Sequence, residues 1–213
     1  MSVGEYGFCG DTILTRMNKT IPNLRCVLAM VVITLLAASA GAQSSPAKMT
    51  LHFDPAATKI DWTLKDILHT VHGTFQLKRG VLVFDEDAGT ADGEIIVETA
   101  SAESGNHLRD ERMKKDVLES TKYPEAIFHP EKVTGVVHDG QTQTVTVEGT
   151  FTIHGADHPL FLQVRTSLSD GKLNATTSFV VPYVAWGMKD PSTLMLRVGK
   201  DVQVKVEARA TVQ

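Results

Sequence analysis

A chain of 213 residues, 42% of them hydrophobic, has material for one globular domain plus an appendage. Its net charge of −4, with no basic block, excludes a nucleic-acid binder, which needs clustered cations to neutralise phosphates. Both cysteines, Cys9 and Cys26, lie near the N-terminus, so the body of the chain has neither a disulfide nor a thiol nucleophile.

The appendage comes first. Arg16, Lys19 and Arg25 precede an uncharged apolar run of 13 residues, 26–38, and Ser39-Ala40-Gly41-Ala42 follows it. Basic, apolar and small residues in that order predict a signal peptide over 1–42, cleaved after Ala42, and hence an exported, periplasmic protein. A membrane span would need roughly 20 apolar residues. Met17 offers an alternative start with a shorter leader. Cleavage removes Arg16, Lys19 and Arg25 along with Glu5 and Asp11, leaving 18 basic and 23 acidic residues, net −5.

Residues 43–50 are small and polar, a tether before a single domain over 51–213. Ile60, Trp62 and Leu64 alternate with polar residues, the period of a half-buried strand. Val71–Leu77 and Gly80–Phe84 are β-rich runs joined by Lys78-Arg79-Gly80, and residues 85–93 form a turn cluster before Glu94–Thr99. Ser101–Phe128 alone reads as neither strand nor turn, and it holds the densest charge. Asn106 is a candidate N-cap for a short surface helix over about 106–118. Asp110/Lys114 and Glu111/Lys115 are predicted i,i+4 pairs, and Leu108, Met113 and Val117 form a thin apolar stripe. Such a helix would cover one end of a barrel as a lid, its charges solvating the outer face. Pro124 stops it.

The strand pattern then resumes. Val133–His138 ends at the hairpin pair Asp139-Gly140. Thr144–His154 alternates cleanly, with Val145, Val147, Gly149, Phe151 and Ile153 on one face. Leu160, Leu162, Val164 and Leu168 continue it, followed by Leu173–Tyr183, Thr193–Val198 and Val202–Val212. Eight to ten strands with one helix predict an all-β fold, an extended antiparallel barrel of about eight strands whose closure hides its edges. A two-sheet sandwich has the same signature.

Candidate chemistry is sparse. His69-x2-His72 and His154-x3-His158 have metal-site spacing, which leaves a metal-dependent enzyme as a rival, but there is no HExxH and no cysteine ligand. Asp85, Asp87 and Asp92 around Gly89 lack the distal Glu of a calcium loop and read as a hairpin turn. No Gly-x-Ser-x-Gly elbow occurs, so no catalytic residue is assigned. Trp62, Phe75, Phe84, Phe128, Phe151, Phe161, Phe179 and Trp186 are spread about one per strand. They suit a packed core, and equally an apolar lumen for a lipid chain, where each buried methylene contributes about 0.8 kcal/mol.

Several stretches together resemble the YceI-like family. They are Phe53-Asp54-Pro55-Ala56-Ala57-Thr58-Lys59-Ile60, residues 69–75, residues 101–106 with Arg109-Asp110 and residues 116–118, Tyr123 to Phe128, and Val147 to Gly155 with Pro159-Leu160. Gly187-Met188 also fits, but the arginine that family members often carry ahead of it is replaced within Val184-Ala185-Trp186. The resemblance spans about Leu51–Val212 and implies an exported, lipocalin-like barrel that binds polyisoprenoid lipids without a cofactor, metal or catalysis. On it the lumen contacts are Trp62, Phe75, Phe128, Val147, Phe151, Leu162, Phe179 and Trp186. The implied partner is an isoprenoid or other hydrophobic lipid, with transient membrane contact and a homodimer left open. A barrel filled by its own side chains, serving structure or partner binding, is the remaining alternative.

Overall fold

Period-2 alternation carries most of the chain into strands. The computed structural model describes residues 48–66, 69–193 and 197–213, and the expected signal peptide lies outside them. The strands are β1 (Lys48–Phe53), β2 (Lys59–Asp66), β3 (Thr70–Asp85), β4 (Thr90–Glu103), β5 (Glu125–Thr134), β6 (Thr142–Ile153), β7 (Ala156–Ser169), β8 (Lys172–Val181) and β9 (Val198–Val212). Helix α1 (His107–Arg112), continued by a π turn over Met113–Val117, separates β4 from β5.

All strand pairings are antiparallel and the sheet closes, with order β1-β3-β2-β9-β8-β7-β6-β5-β4 and further β1–β9 and β3–β4 pairings. β1 and β2 share one position in the ring. β2 pairs with the first half of β3 and β1 with the second, and both pair with β9 on the other side. Nine strands therefore make a lipocalin-like, eight-stave barrel, and the sandwich reading falls. One ladder is short: β7 and β8 are paired only from Arg165↔Thr176 to Ser169↔Lys172.

Local departures from the sequence reading have identifiable causes. Lys48–Thr50, read as tether, already pair with Val83–Asp85. The two runs around Lys78-Arg79-Gly80 are one 16-residue strand. A register shift between Leu77 and Arg79 puts both Lys78 and Arg79 outside while Leu77 and Gly80 stay buried, so a bulge does what looked like a turn. Outside the wall, Lys78 pairs with Glu125 at 2.7 Å and Arg79 with Glu94. Thr193 is not in a strand, and residues 194–196 lie outside the described ones, so the strand expected at 193–198 begins only at Val198. In the 85–93 turn Asp85 Oδ1 accepts from Ala88 N at 3.0 Å, the role of a turn aspartate.

Inward residues form three clusters along the barrel. Leu51, Leu168, Leu173 and Ala210 close one end, with Val137 packed against them from the β5–β6 connection. Phe128, Leu160 and Leu162 lie along the wall. Ala102, Leu118, Val181, Tyr183 and Met188 close the other end, where Met113 and Val117 from the helix join them.

Candidate functional site: a capped lumen

The inner faces do not fill the barrel. A cavity of about 1330 Å³ runs through it, larger than the 300–1,000 Å³ usual for small-molecule pockets and equal to roughly 40 water volumes. Of the expected lumen residues, Trp62, Phe75, Phe128, Val147, Phe151, Leu162 and Phe179 line it. The reason is the strand period: each occupies an inward position of β2, β3, β5, β6, β7 or β8. The wall is mainly aliphatic and aromatic. Its charged and imidazole side chains are Arg109, Arg112 and Asp116 of the helical segment, Lys189 and Asp190, and His69 and His72 at the start of β3. All belong to segments at the capped end.

Trp62 is packed tightly over its strand partner. It is 4% exposed, and a Cβ on its partner Gly73 would sit 2.4 Å from the indole and 2.1 Å from Glu103 O. Only glycine leaves room for the ring there.

Trp186 is not part of the cavity wall. The chain leaves the sheet at Pro182 and coils, with Trp186 N donating to Pro182 O at 3.0 Å and Met188 N to Tyr183 O at 3.0 Å. Trp186 instead stacks on the inward-facing His158 and packs into the end cluster. The strand read as Leu173–Tyr183 ends at Val181, before Pro182, and Trp186 lies beyond it. Phe161 also differs: it is 68% exposed on the outer face of β7, because Leu160 and Leu162 take the inward positions.

The cap has two parts, of which the sequence reading identified one. Asn106 caps α1, its Oδ1 accepting from Arg109 N at 3.1 Å. The chain then widens into a π turn, with Leu118 N donating to Met113 O at 2.9 Å, and Glu119 ends it at φ 46°. Met113 and Val117 pack inward as expected, whereas Leu108 borders the cavity but is 76% exposed. The second part is the 182–188 turn, which supplies Tyr183, Trp186 and Met188.

The predicted pairs Asp110/Lys114 and Glu111/Lys115 are not among the ion pairs of the described residues. Widening to a π turn breaks the i,i+4 alignment. Asp110 is also buried rather than solvating, and it accepts from Ser104 Oγ. Arg109 donates to the same Ser104, Nε to Oγ at 2.7 Å and Nη2 to the carbonyl at 2.9 Å. This network ties the cap to the end of β4.

The histidines do not converge on a metal. His72 Nδ1 lies 3.0 Å from Thr63 Oγ1, His154 Nε2 lies 2.8 Å from Glu119 Oε2, and His158 carries Trp186. No group of three or more His, Cys, Asp or Glu arranged to hold a metal occurs among the described residues. Near the cap, burial pushes the Tyr183 phenol up to about 12, helped by Asp190 and Asp201, and its hydroxyl donates to Gly199 O at 2.9 Å.

A closed antiparallel barrel around an apolar cavity, capped at one end, defines a lipocalin-like binding fold. The YceI-like domain model matches residues 51–210, and the chain belongs to the YceI-like family. Its fold is similar to that of a polyisoprenoid binding domain from Saccharophagus degradans implicated in plant cell wall breakdown (TM-score 0.63, 15% identity, covering 76% of this chain and 98% of that one). It is also similar to Burkholderia cenocepacia BcnA (TM-score 0.60, 19% identity, covering 75% and 99%). No curated protein matches significantly.

Proposed function

We propose that this protein sequesters or carries a polyisoprenoid or similar amphiphile in its lumen, outside the cytoplasm and in the periplasm. The observation that carries the reading is the cavity of about 1330 Å³, mainly apolar along its length, with its charged and imidazole groups at the capped end. A chain lipid gains from burying its methylenes there, and the charged and imidazole groups under the cap suit its polar end. The polyisoprenoid-binding description of one structural neighbour and the shared family support the same ligand class. The basic, apolar and small-residue order of the N-terminal segment supports export. Among the described residues no helix is long and apolar enough to cross a membrane.

Lipid extraction followed by mass spectrometry is the test. A co-purifying polyprenyl lipid, or stoichiometric uptake of one added to delipidated protein, is expected. Protein that comes out empty and also refuses the added lipid would sink the reading. The metal-enzyme rival is checked by elemental analysis: wild type and His72→Ala should show the same, sub-stoichiometric zinc and iron.

A further inference from the structure

The barrel wall is not hydrogen-bonded all the way round. β7 is paired with β6 along its length, from Ala156 to Ser167, and β8 with β9 through to Val181. Between them the ladder stops at Arg165↔Thr176. Residues 156–164 of β7 and 177–181 of β8 are therefore paired on one side only, and they border a seam in the wall.

Side chains close this seam. At its lower end Thr177 Oγ1 donates to Gln163 O at 2.9 Å, in place of the next backbone pair. On the lumen side Phe179 of β8 packs against the Phe128, Leu160 and Leu162 cluster and meets Phe151 edge-on, ring centres 6.0 Å apart. At the upper end Trp186, just beyond β8, lies on His158 of β7. Rotamer changes can part such a closure, whereas opening any other stave junction breaks a backbone ladder.

The outer lips are unusual for a soluble surface. Phe161 is 68% exposed and Val180 50%, and they stand where the two strands would pair if the ladder continued. On β7 and β8 the exposed outward neighbours Pro159, Gln163, Thr176 and Ser178 are uncharged. The flanking strands add two charges, Glu148 opposite Phe161 and Lys205 opposite Ser178, each paired, with Lys132 and Glu207 respectively. An exposed apolar pair flanked by charges that are already paired can enter the headgroup layer of a bilayer without leaving a lone charge buried. The seam also leads directly to Phe179 and Phe151, both in the cavity wall.

We propose that the β7–β8 seam is a lateral portal, docked on a lipid bilayer through Phe161 and Val180, by which the apolar chain of the ligand enters the lumen sideways. The proposal rests on the lipid-binding reading above and adds the route and the docking surface. A portal in the wall lets the chain slide in while its polar end travels along the surface to the cap. Entry end-on would instead require the Arg109–Ser104–Asp110 network to release the helix.

A reversible staple tests it. In a Cys9→Ser, Cys26→Ser background of the full chain, Gln163→Cys with Ser178→Cys bridges the seam two residues beyond the last ladder pair. Thr144→Cys with Arg165→Cys bridges the fully paired β6–β7 junction as a control. The probe is a fluorescent polyprenol in phosphatidylcholine–phosphatidylglycerol vesicles. Extraction should be at least tenfold slower with the seam stapled and recover on reduction, while the control staple has no effect. Refolding in the presence of the probe should load all variants equally, and Phe161→Ser with Val180→Ser should cut vesicle co-sedimentation about fivefold with that load unchanged. Normal load on refolding together with staple-insensitive extraction overturns the portal alone. Failure to load even on refolding removes the lipid reading and the portal with it. If the two serine substitutions leave vesicle binding intact but convert a dimer to a monomer, the patch is a self-association surface and the docking proposal is wrong.

Discussion

The indole of Trp186 lies flat on the imidazole of His158, with ring centres 4.0 Å apart and planes within 7°. One residue follows β8 and the other sits near the start of β7, so the contact joins two strands that share no backbone bonds at that level. It also sets Trp186 against Phe151, at 6.1 Å, as part of the end cluster. Trp186→Ala should therefore lower stability by about 2 kcal/mol, below the range for a fully buried tryptophan because this one is half-buried. Lipid release should accelerate at the same time. Chemical denaturation and a lipid-transfer assay measure the two effects, and an unchanged release rate would show that the stack does not hold the end shut.

Gly73→Ala should destabilise the barrel by roughly 1–3 kcal/mol, the usual cost of overpacking. The new methyl meets the Trp62 ring at 2.4 Å and the Glu103 carbonyl at 2.1 Å, and the backbone oxygen cannot step aside. A thermal melt matching wild type would mean that the wall yields more easily than this geometry allows.

Met113 lies on the inner side of the cap and borders the cavity. Met113→Asp places a carboxylate against that apolar surface, which favours the helix lifting away over the barrel unfolding. The expected result is about a tenfold weaker hold on lipid, near 1.4 kcal/mol, with a smaller change in melting temperature. Lipid off-rates and calorimetry on the same samples decide it. Equal retention would tell against a covering role for the helix.

Tyr183 makes stability depend on pH at the alkaline end. Its phenol titrates at 10.0 when unperturbed and is pushed up to about 12 in the fold, chiefly by burial. The folded state thus prefers the neutral form. Its contribution is complete below pH 10 and is lost as pH rises from 10 towards 12, where the unfolded chain ionises first. Tyr183→Phe should flatten that part of the stability curve while losing the bond to Gly199 O at every pH. If the wild-type and variant curves stay parallel from pH 9 to 12, the phenol is not the group responsible.

How far these features could be read in advance depended on range. The alternation of Thr144–His154 places Val145, Val147, Phe151 and Ile153 on one face because a strand's side chains alternate wherever it is paired. The structure puts those four in the lumen wall. Asn106 at the start of α1 is equally local, since an N-cap needs only its own first turn. Asp110 was misplaced because its partner is Ser104 in the preceding segment and not Lys114 one turn on. Trp186, expected in the lumen, instead lies on His158, a residue 28 positions earlier in the chain, and no local repeat marks such a contact.

The linear chain by itself determined that this protein is all-β with one short helix, and which residues share a face. Those properties follow from repeats of two and 3.6 residues and from caps and turns a few residues long. Only the tertiary pairing decided that the sheet closes into a barrel and not a sandwich. The tertiary structure likewise decided that β1 and β2 act as one stave, and that the inward faces stand far enough apart to leave a cavity. It also decided that the cap is built jointly by the helix and the 182–188 turn, and that the β7–β8 ladder ends early. Each of these depends on how strands distant in sequence are registered against one another, and that pairing is set by the closure of the whole ring.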